Sequence, residues 1–331
     1  MQIEAHETER EETAQADRPG WRPTAPPTTG TILKYIKCVR SLLRRYEQEA
    51  PDACLSDRVE FMSWFLVTQE TRVKANTWRY QAAALFHVLE NEYREDSEEA
   101  LGMLARHERA RATTVRSSVL SKRKRLPEDE HIDLIADLQA VPSDYKDLTI
   151  HWLQVTLDLG LRPVEAGTTR EEIAADGEVI IVVRNAKATQ GRGGEGGERR
   201  LGLGEFAEHD QARLRTFLRK MRDLTEAGFY QTSYESCRKL LLKASRRLWP
   251  ERKTTYSLYS ARHQFCANMK YQREKPEVSV GMGHGAERTA IRSYGKRRHG
   301  RKVPLPTVSS DAVAQVRPMI QRPRPWRPAL G

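Results

Sequence analysis

Apolar residues recur at helical spacing in four short-linked segments of the N-terminal third of the chain. Intervals of three and four residues give each segment one apolar stripe, which indicates amphipathic helices. Such helices, joined by short links, pack into a compact all-α domain. We therefore predict helices near residues 32–46, 59–69, 76–93 and 98–109. Three of their aromatic side chains are predicted to belong to the core: Trp64, Trp78 and Phe86.

The helical pattern resumes after about residue 127 and is interrupted once by a β-branched run. The run Glu178 to Arg184 predicts a strand, and the segment from Arg199 to Leu203 predicts a second, returning strand. Lys187 then lies near the tip of a β-hairpin. The predicted fold class is mainly α with a small β-hairpin or sheet (α+β). The further helices are predicted over residues 130–140, 143–159, 209–224, 234–248 and 257–270.

A glycine pattern in the hairpin, Gly191-x-Gly193-x-x-Gly196, matches the dinucleotide-binding fingerprint. That fingerprint requires a strand before it and a helix directly after it, so that the helix N-terminus meets the pyrophosphate. Here a basic, strand-like segment follows instead. A hairpin loop is the better interpretation, and the absence of Gly-Lys-Ser/Thr argues against a P-loop.

Shifts in composition divide the chain into five parts. Residues 1–29 are rich in Glu, Thr and Pro and are predicted to be a disordered arm. Residues 30–112 form the helical domain, 113–126 a basic linker and 127–302 a second domain. Residues 303–331 form a tail rich in Pro and Arg, with one short helix predicted near 310–320.

Charge narrows the choice of partner. The 331 residues carry a formal net charge of +11, which favours a polyanion, nucleic acid before membrane. A merely soluble basic protein remains the alternative at this point. The four cysteines form no metal-binding pattern, so neither zinc nor a disulfide framework is expected and a reducing cytoplasm fits best. No apolar run reaches membrane-spanning length.

Basic side chains concentrate in two places. The linker is interpreted as a strap that follows the phosphate backbone, with a solvated linker as the alternative. A second cluster comes directly after Tyr294. The predicted DNA-binding residues are Arg116, Lys122, Arg123, Lys124, Arg125, Lys296, Arg297 and Arg298.

Candidate chemistry lies in the second domain. Arg162 follows a glycine that can end a helix, and Glu165 stands three residues later, where it can hold the guanidinium. Further on, Arg262 occurs in Tyr-Ser-Ala-Arg-His, His284 in Met-Gly-His, and Tyr294 ten residues after His284. Arginine and histidine bind phosphate oxygens, and a tyrosine in this basic setting is a candidate nucleophile.

Taken with Lys187, these residues stand in the order and at the approximate spacing found in the tyrosine recombinase, or phage integrase, family, which the sequence resembles from about residue 127 to 300. The preceding helices resemble that family's core-binding, SAM-like domain. The resemblance implies a site-specific recombinase that needs neither metal nor other cofactor nor ATP. It also implies double-stranded DNA attachment sites as partner, a dimer on one site, a tetramer in synapsis, and a nucleoid-associated enzyme of a mobile element.

The resemblance also implies a role for each group. Arg162 and Arg262 clamp the non-bridging phosphate oxygens, and Lys187 protonates the leaving 5′-oxygen. His284 accepts the proton of Tyr294 or binds the phosphate. Tyr294 attacks and forms a 3′-phosphotyrosyl link. Glu165 orients its neighbours.

Two positions depart from the family pattern. Tyr259 stands where a histidine is common, three residues before Arg262; its phenol can donate a hydrogen bond to phosphate, which makes Tyr259 a candidate for that contact. His284 and Tyr294 are one residue further apart than is usual, which predicts a small insertion near residues 285–287.

Two other functions remain compatible with the sequence. A DNA-binding or architectural protein without catalysis would share the basic surface, but it has no need for the combination of Arg162, Arg262, His284 and Tyr294. An enzyme like the type IB topoisomerases would use the same chemistry to relax supercoils. The short chain and its separate helical domain favour recombination.

Overall fold

The structure is a computed structural model that describes residues 26–54, 56–93, 96–107, 121–186 and 197–318. The chain divides into two compact units, Met1–Val119 and Leu120–Gly331. The division falls within the segment predicted to be a linker. The predicted N-terminal arm, for residues 1–25, and the linker up to residue 120 lie outside the described residues.

The first unit is helical. Its helices are α1 (Thr29–Glu49), α2 (Arg58–Arg72), α3 (Ala75–Glu92) and α4 (Glu98–Arg106). Asp57 begins α2 by accepting hydrogen bonds from two backbone N–H groups of its first turn, an N-cap that replaces missing intrahelical partners. The predicted core aromatics are inside: Trp78 is buried, and Trp64 and Phe86 pack against the same cluster while remaining partly exposed.

The second unit combines further helices with two small sheets among the described residues. Its helices are α5 (Glu128–Ala140), α6 (Lys146–Leu159), α7 (Glu208–Glu226), α8 (Tyr230–Leu248), α9 (Leu258–Gln272), α10 (Lys275–Gly281), α11 (Glu287–Ser293) and α12 (Ser310–Ala314). Its strands are β1 (Ser121–Lys122), β2 (Arg170–Ile173), β3 (Val179–Arg184), β4 (Glu198–Gly202) and β5 (Thr254–Thr255).

The larger sheet has the order β2–β3–β4 and is antiparallel throughout. The β3–β4 pair is the predicted hairpin, whose loop, residues 187–196 with Lys187, lies outside the described residues. The prediction missed β2 because its sequence, Arg-Glu-Glu-Ile, lacks the apolar alternation that marks a strand. β1 and β5 pair in parallel and join the start of this unit to the segment before α9.

The core of the second unit forms mainly where α6 packs among neighbouring helices and the sheet. Trp152 of α6 is fully buried against Phe217 of α7 and against Tyr230 and Tyr234 of α8. A second apolar cluster joins α9 to α10 and α11 and includes Phe265, Met269 and Ala290. The predicted class, mainly α with a small β element, is confirmed. The prediction missed α10 and α11, whose seven residues each are too few for a clear period.

The described part of the tail, residues 303–318, packs against the rest of the second unit. Leu305 is fully buried, and Thr307 pairs with Gly202 at the end of β4. Arg317 exchanges backbone hydrogen bonds with residues 285 and 287, the place of the predicted insertion. The predicted tail helix is real but shorter, ending at Ala314. Among the residues described, no helix is both long and apolar enough to cross a membrane.

Candidate active site

A left-handed glycine ends α6 and directs the chain into the site. Gly160 has φ of 61°, and a Cβ built there would lie 2.2 Å from Cδ1 of Phe265. Only glycine fits such a conformation and such a close approach. The carbonyl of Gly160 accepts a hydrogen bond from the guanidinium of Arg262. The end of α6 is therefore joined directly to α9.

Arg162 and Glu165 form a closed pair in the turn after α6. The backbone N–H of Arg162 donates to Oε2 of Glu165 at 2.8 Å, and its Nη1 donates to Oε1 at 2.5 Å. Both side chains are buried. The carboxylate therefore sets the direction of the Arg162 guanidinium, as the spacing of three residues predicts.

Glu165 is the centre of a larger network. Its carboxylate also accepts a hydrogen bond from Nη2 of Arg199 at 2.9 Å and one from the N–H of Ala186 at 3.3 Å. Nη1 of Arg262 lies 4.0 Å from its Oε2. Burial alone raises the pKa of a carboxyl group, but the positive charges of Arg199, Arg262 and Arg162 outweigh burial and lower the pKa of Glu165 to about 2. The carboxylate is ionised at neutral pH.

Arg262 lies on α9 and is completely buried. Its Nη2 donates to the carbonyl of Met282 at 2.7 Å, beside the bond to Gly160. Burial, and then the charges of Arg162 and Arg199, lower the pKa of Arg262 to about 10. Its Nε has no hydrogen-bond partner among the described residues. An unmade hydrogen bond of a buried donor costs about 1–3 kcal/mol, so a donor left in this state calls for a functional explanation.

The loop that carries His284 packs against the base of the hairpin. Gly283 has φ of 65°, and a Cβ there would lie 2.4 Å from Oδ1 of Asn185 and 2.9 Å from Nη1 of Arg199. The backbone N–H of His284 donates to the carbonyl of Ser279 at 2.8 Å, so the loop also returns onto α10. These contacts bring the hairpin, the Glu165 network and His284 together.

Tyr294 directly follows α11 and lies beside one guanidinium and two imidazole rings. Its ring centroid is 5.0 Å from that of His263 and 5.2 Å from that of His284. The guanidinium carbon of Arg262 lies 5.3 Å from the same ring. A guanidinium at this distance from a phenol ring attracts it through a cation–π interaction.

The structure brings five of the predicted site residues together: Arg162, Glu165, Arg262, His284 and Tyr294. Tyr259, half-buried on α9, contributes to the raised pKa of Tyr234 on α8, behind burial of that tyrosine. Its phosphate contact stays a prediction. Lys187 lies outside the described residues, so its place in the site also stays a prediction.

Sequence reasoning missed Arg199, Asn185 and His263 as members of the site. Nη1 of Arg199 donates to Oδ1 of Asn185 at 2.6 Å, and the arginine is buried. The strand pattern held a signal for Arg199. In Glu-Arg-Arg-Leu, Arg199 alternates with Arg200 and therefore shares a face with Leu201, which is buried. A charged residue on the buried face of a strand requires a partner.

The predicted DNA-binding residues fall into different environments. Lys124 and Arg125 are exposed, whereas the guanidinium of Arg123 donates to Glu130 at 2.6 Å and is partly buried. The cluster after Tyr294 is exposed and forms a short 3₁₀ turn over Arg297–His299. Arg116 and the side chain of Lys122 lie outside the described residues. No group of three or more His, Cys, Asp or Glu side chains that could hold a metal ion occurs in the part of the chain described.

No protein-family model matches this chain, and no curated protein matches it. Among solved structures, a lambda integrase dimer bound to a COC′ core site is similar, with 15% identity and a TM-score of 0.48 over 89% of this chain and 97% of that one. The Tn1549 transposon integrase in complex with a circular intermediate DNA has 12% identity and a TM-score of 0.47, over 88% and 94%. The XerH site-specific recombinase bound to a palindromic difH substrate has 14% identity and a TM-score of 0.43, over 83% and 76%.

Proposed function

We propose that this protein is a site-specific DNA recombinase or integrase that cleaves and rejoins strands through a 3′-phosphotyrosyl intermediate. One observation carries the proposal. The buried carboxylate of Glu165 gathers the guanidiniums of Arg162 and Arg262, and the phenol of Tyr294 lies beside Arg262. A nucleophile next to two oriented guanidiniums is the arrangement that phosphoryl transfer to a tyrosine requires.

The charge of the site supports an anionic substrate. Three guanidiniums, those of Arg162, Arg199 and Arg262, surround the single carboxylate of Glu165, which leaves two formal positive charges. A phosphodiester between Arg162 and Arg262 offsets one of these two charges and gives a partner to the buried Nε of Arg262. The transition state carries more charge on its non-bridging oxygens than the ground state, so these groups lower the barrier.

The proposed step balances without a co-reactant. The Tyr294 oxygen attacks phosphorus and its proton passes to His284, while the bond from phosphorus to the 5′-oxygen breaks. The leaving oxygen takes a proton, which we assign to Lys187 on the hairpin. The 5′-hydroxyl of a second strand then attacks the phosphotyrosine and gives its proton to Lys187, while Tyr294 leaves and takes its proton back from His284. Because the phosphodiester is exchanged rather than hydrolysed, the cycle needs neither ATP nor a metal ion.

The remaining assignments extend the proposal by the resemblance to site-specific recombinases. The exposed Lys124 and Arg125 and the cluster 296–298 bind DNA phosphates, and the first unit acts as a core-binding domain. Exchange between two sites requires a dimer on each site and a tetramer in synapsis. The proposed partner is double-stranded attachment-site DNA. The protein is proposed to be a cytoplasmic enzyme of a mobile element that associates with the nucleoid when it binds DNA.

A covalent adduct tests the proposal. Nicked duplexes from a randomised library trap a cleaved strand, because the short fragment that leaves cannot return. We expect an SDS-resistant adduct with the wild-type protein and none with Tyr294→Phe. Tyr271→Phe, which alters an exposed tyrosine of α9, is the matched control and should form the adduct. An adduct that persists in Tyr294→Phe overturns the assignment of the nucleophile.

Two further measurements separate the alternatives. An architectural protein binds DNA but forms no adduct. An enzyme that only relaxes supercoils acts on any plasmid and yields no products with exchanged partners. The library sequences recovered in adducts should share one motif, and a plasmid carrying two copies of it should recombine.

A further inference from the structure

A lysine outside the proposed chemistry binds the backbone on both sides of Tyr294. Nζ of Lys270, on α9, donates to the carbonyl of Gly295 at 2.8 Å and to the carbonyl of Ile291 at 3.2 Å. Ile291 lies in the last turn of α11, and Gly295 directly follows Tyr294. One ammonium group therefore bridges the ends of the segment that presents the phenol.

The lysine replaces hydrogen bonds that the backbone lacks. The last carbonyls of a helix have no intrahelical donor, and α11, with only seven residues, has little stability of its own. An ammonium carries three donors and can serve two carbonyls together, and its charge meets the negative end of the helix dipole. Burial lowers the pKa of Lys270, consistent with an amine withdrawn from water against the protein.

The same helix holds this segment at a second place. A Cβ at Gly295 would lie 2.3 Å from the carbonyl oxygen of His263 and 3.0 Å from Cβ of Ala267, so the chain after Tyr294 rests directly on α9. Arg262 lies on α9 as well. One helix therefore carries both a candidate phosphate clamp and the support of the candidate nucleophile.

We propose that Lys270 is a positioning residue that fixes the backbone around Tyr294 and keeps its phenol beside Arg262. The proposal rests on the proposed function in one respect, the identity of Tyr294 as nucleophile. Lys270 is not assigned a contact with DNA or with the reacting atoms.

The test uses the 331-residue chain with three substitutions, each made separately. Lys270→Met keeps the length of the side chain and removes the donors, and Lys270→Arg restores donors. Lys243→Met, at an exposed position of α8, is the matched control. Hydrogen exchange of peptides covering residues 287–300 reports the clamp, and peptides from α6 report the global fold. Single-turnover adduct formation at saturating DNA reports the chemistry, and a filter-binding titration reports affinity.

In Lys270→Met, we expect faster amide hydrogen exchange at residues 291–296 and an unchanged exchange rate in α6. Because a misplacement of about 1 Å costs on the order of 100-fold in rate, adduct formation should fall by about 10- to 100-fold with unchanged DNA affinity. Lys270→Arg should recover part of the rate, and Lys243→Met should match the wild type.

The outcomes test the positioning role of Lys270 and the proposed function separately. Unchanged exchange in Lys270→Met refutes the clamp. Faster exchange with a wild-type rate refutes the positioning role. If the wild type forms no adduct, the proposed function fails, while the exchange data still decide whether Lys270 holds the segment. If Lys270→Met does not fold, Lys270→Gln, whose shorter side chain cannot bridge both carbonyls, takes its place: faster exchange at residues 291–296 supports the clamp, and unchanged exchange refutes it.

Discussion

Nη2 of Arg199 lies 2.9 Å from Oε2 of Glu165, and both side chains are buried. This contact ties β4 to the turn that carries Arg162, across 34 residues of sequence. Arg199 also binds Asn185 at the end of β3 and lies beneath Gly283. A single arginine therefore joins the base of the hairpin, the Glu165 network and the loop before His284.

Replacing this arginine should destabilise the second unit. Arg199→Met leaves Glu165 with one fewer buried partner, and breaking a buried ion pair costs about 3 kcal/mol. Arg200→Met is the matched control, because the neighbouring Arg200 makes an exposed pair with Glu172, worth less than about 1 kcal/mol. Urea unfolding of both variants measures the difference. Equal losses would show that the buried network adds nothing.

Glu165 should make stability depend on pH in the acid range. Its pKa is lowered from 4.5 to about 2, so the folded state holds the ionised form more strongly than the unfolded chain does. The resulting stability is complete above pH 4.5 and is lost as the pH falls toward 2; this shift corresponds to about 3 kcal/mol. The difference in free energy of unfolding between the wild type and Glu165→Gln, measured with urea, should therefore become smaller as the pH falls from 4.5 toward 2. A difference in unfolding free energy that does not change with pH would contradict the lowered pKa of Glu165.

Two glycines with positive φ should respond differently to alanine. Gly177→Ala introduces only backbone strain of about 1–2 kcal/mol, because nothing lies within 4 Å of the new Cβ. Gly160→Ala adds a clash with the ring of Phe265 and disturbs the carbonyl that Arg262 binds. We expect Gly160→Ala to lose about 2–5 kcal/mol, since overpacking adds about 1–3 kcal/mol to the strain. Thermal unfolding of both variants tests this order, which equal melting temperatures would contradict.

Replacing the proposed phosphate-binding Arg262 by lysine should impair adduct formation even though the positive charge is kept. Arg262→Lys keeps a positive charge but loses the planar guanidinium. In the wild type, two of its nitrogens donate to the carbonyls of Gly160 and Met282, while Nε remains available to a phosphate. Adduct formation in a single turnover should fall by about 100- to 1000-fold, the usual cost of one oriented transition-state donor. Arg238→Lys, at an exposed position of α8, is the control and should retain the wild-type rate. A rate near that of the wild type for Arg262→Lys would remove Arg262 from the mechanism.

Neighbouring residues of the predicted strap should differ in their effect on DNA binding. Lys124 is exposed, and each phosphate contact that is lost should reduce the slope of log affinity against log salt by about 1. The guanidinium of Arg123 is already paired with Glu130, so Arg123→Gln should lower stability and change the slope less than Lys124→Gln. Titrations at several salt concentrations measure both slopes. Slopes reduced equally in the two variants would show that Arg123 leaves Glu130 to bind DNA, and an unchanged slope for Lys124→Gln would show that Lys124 makes no phosphate contact.

Most elements of the fold were predictable because their signals are local. Helical periodicity identified α1–α9 within a few residues, and the β-branched run identified β3. The elements that were missed are short or polar. β2 contains Arg-Glu-Glu-Ile and gains its stability from pairing with β3, a contact that the local pattern does not reveal.

The amino-acid sequence by itself determined which residue types stand in order along the second unit, from Arg162 to Tyr294, and the spacing that lets Glu165 hold Arg162. Only the tertiary structure decided that Arg199 completes the Glu165 network and that Lys270 binds the backbone around Tyr294. The reason is physical. A pair three residues apart is set by local backbone geometry, whereas a contact across 34 residues depends on strand register and helix packing, which the whole core establishes together.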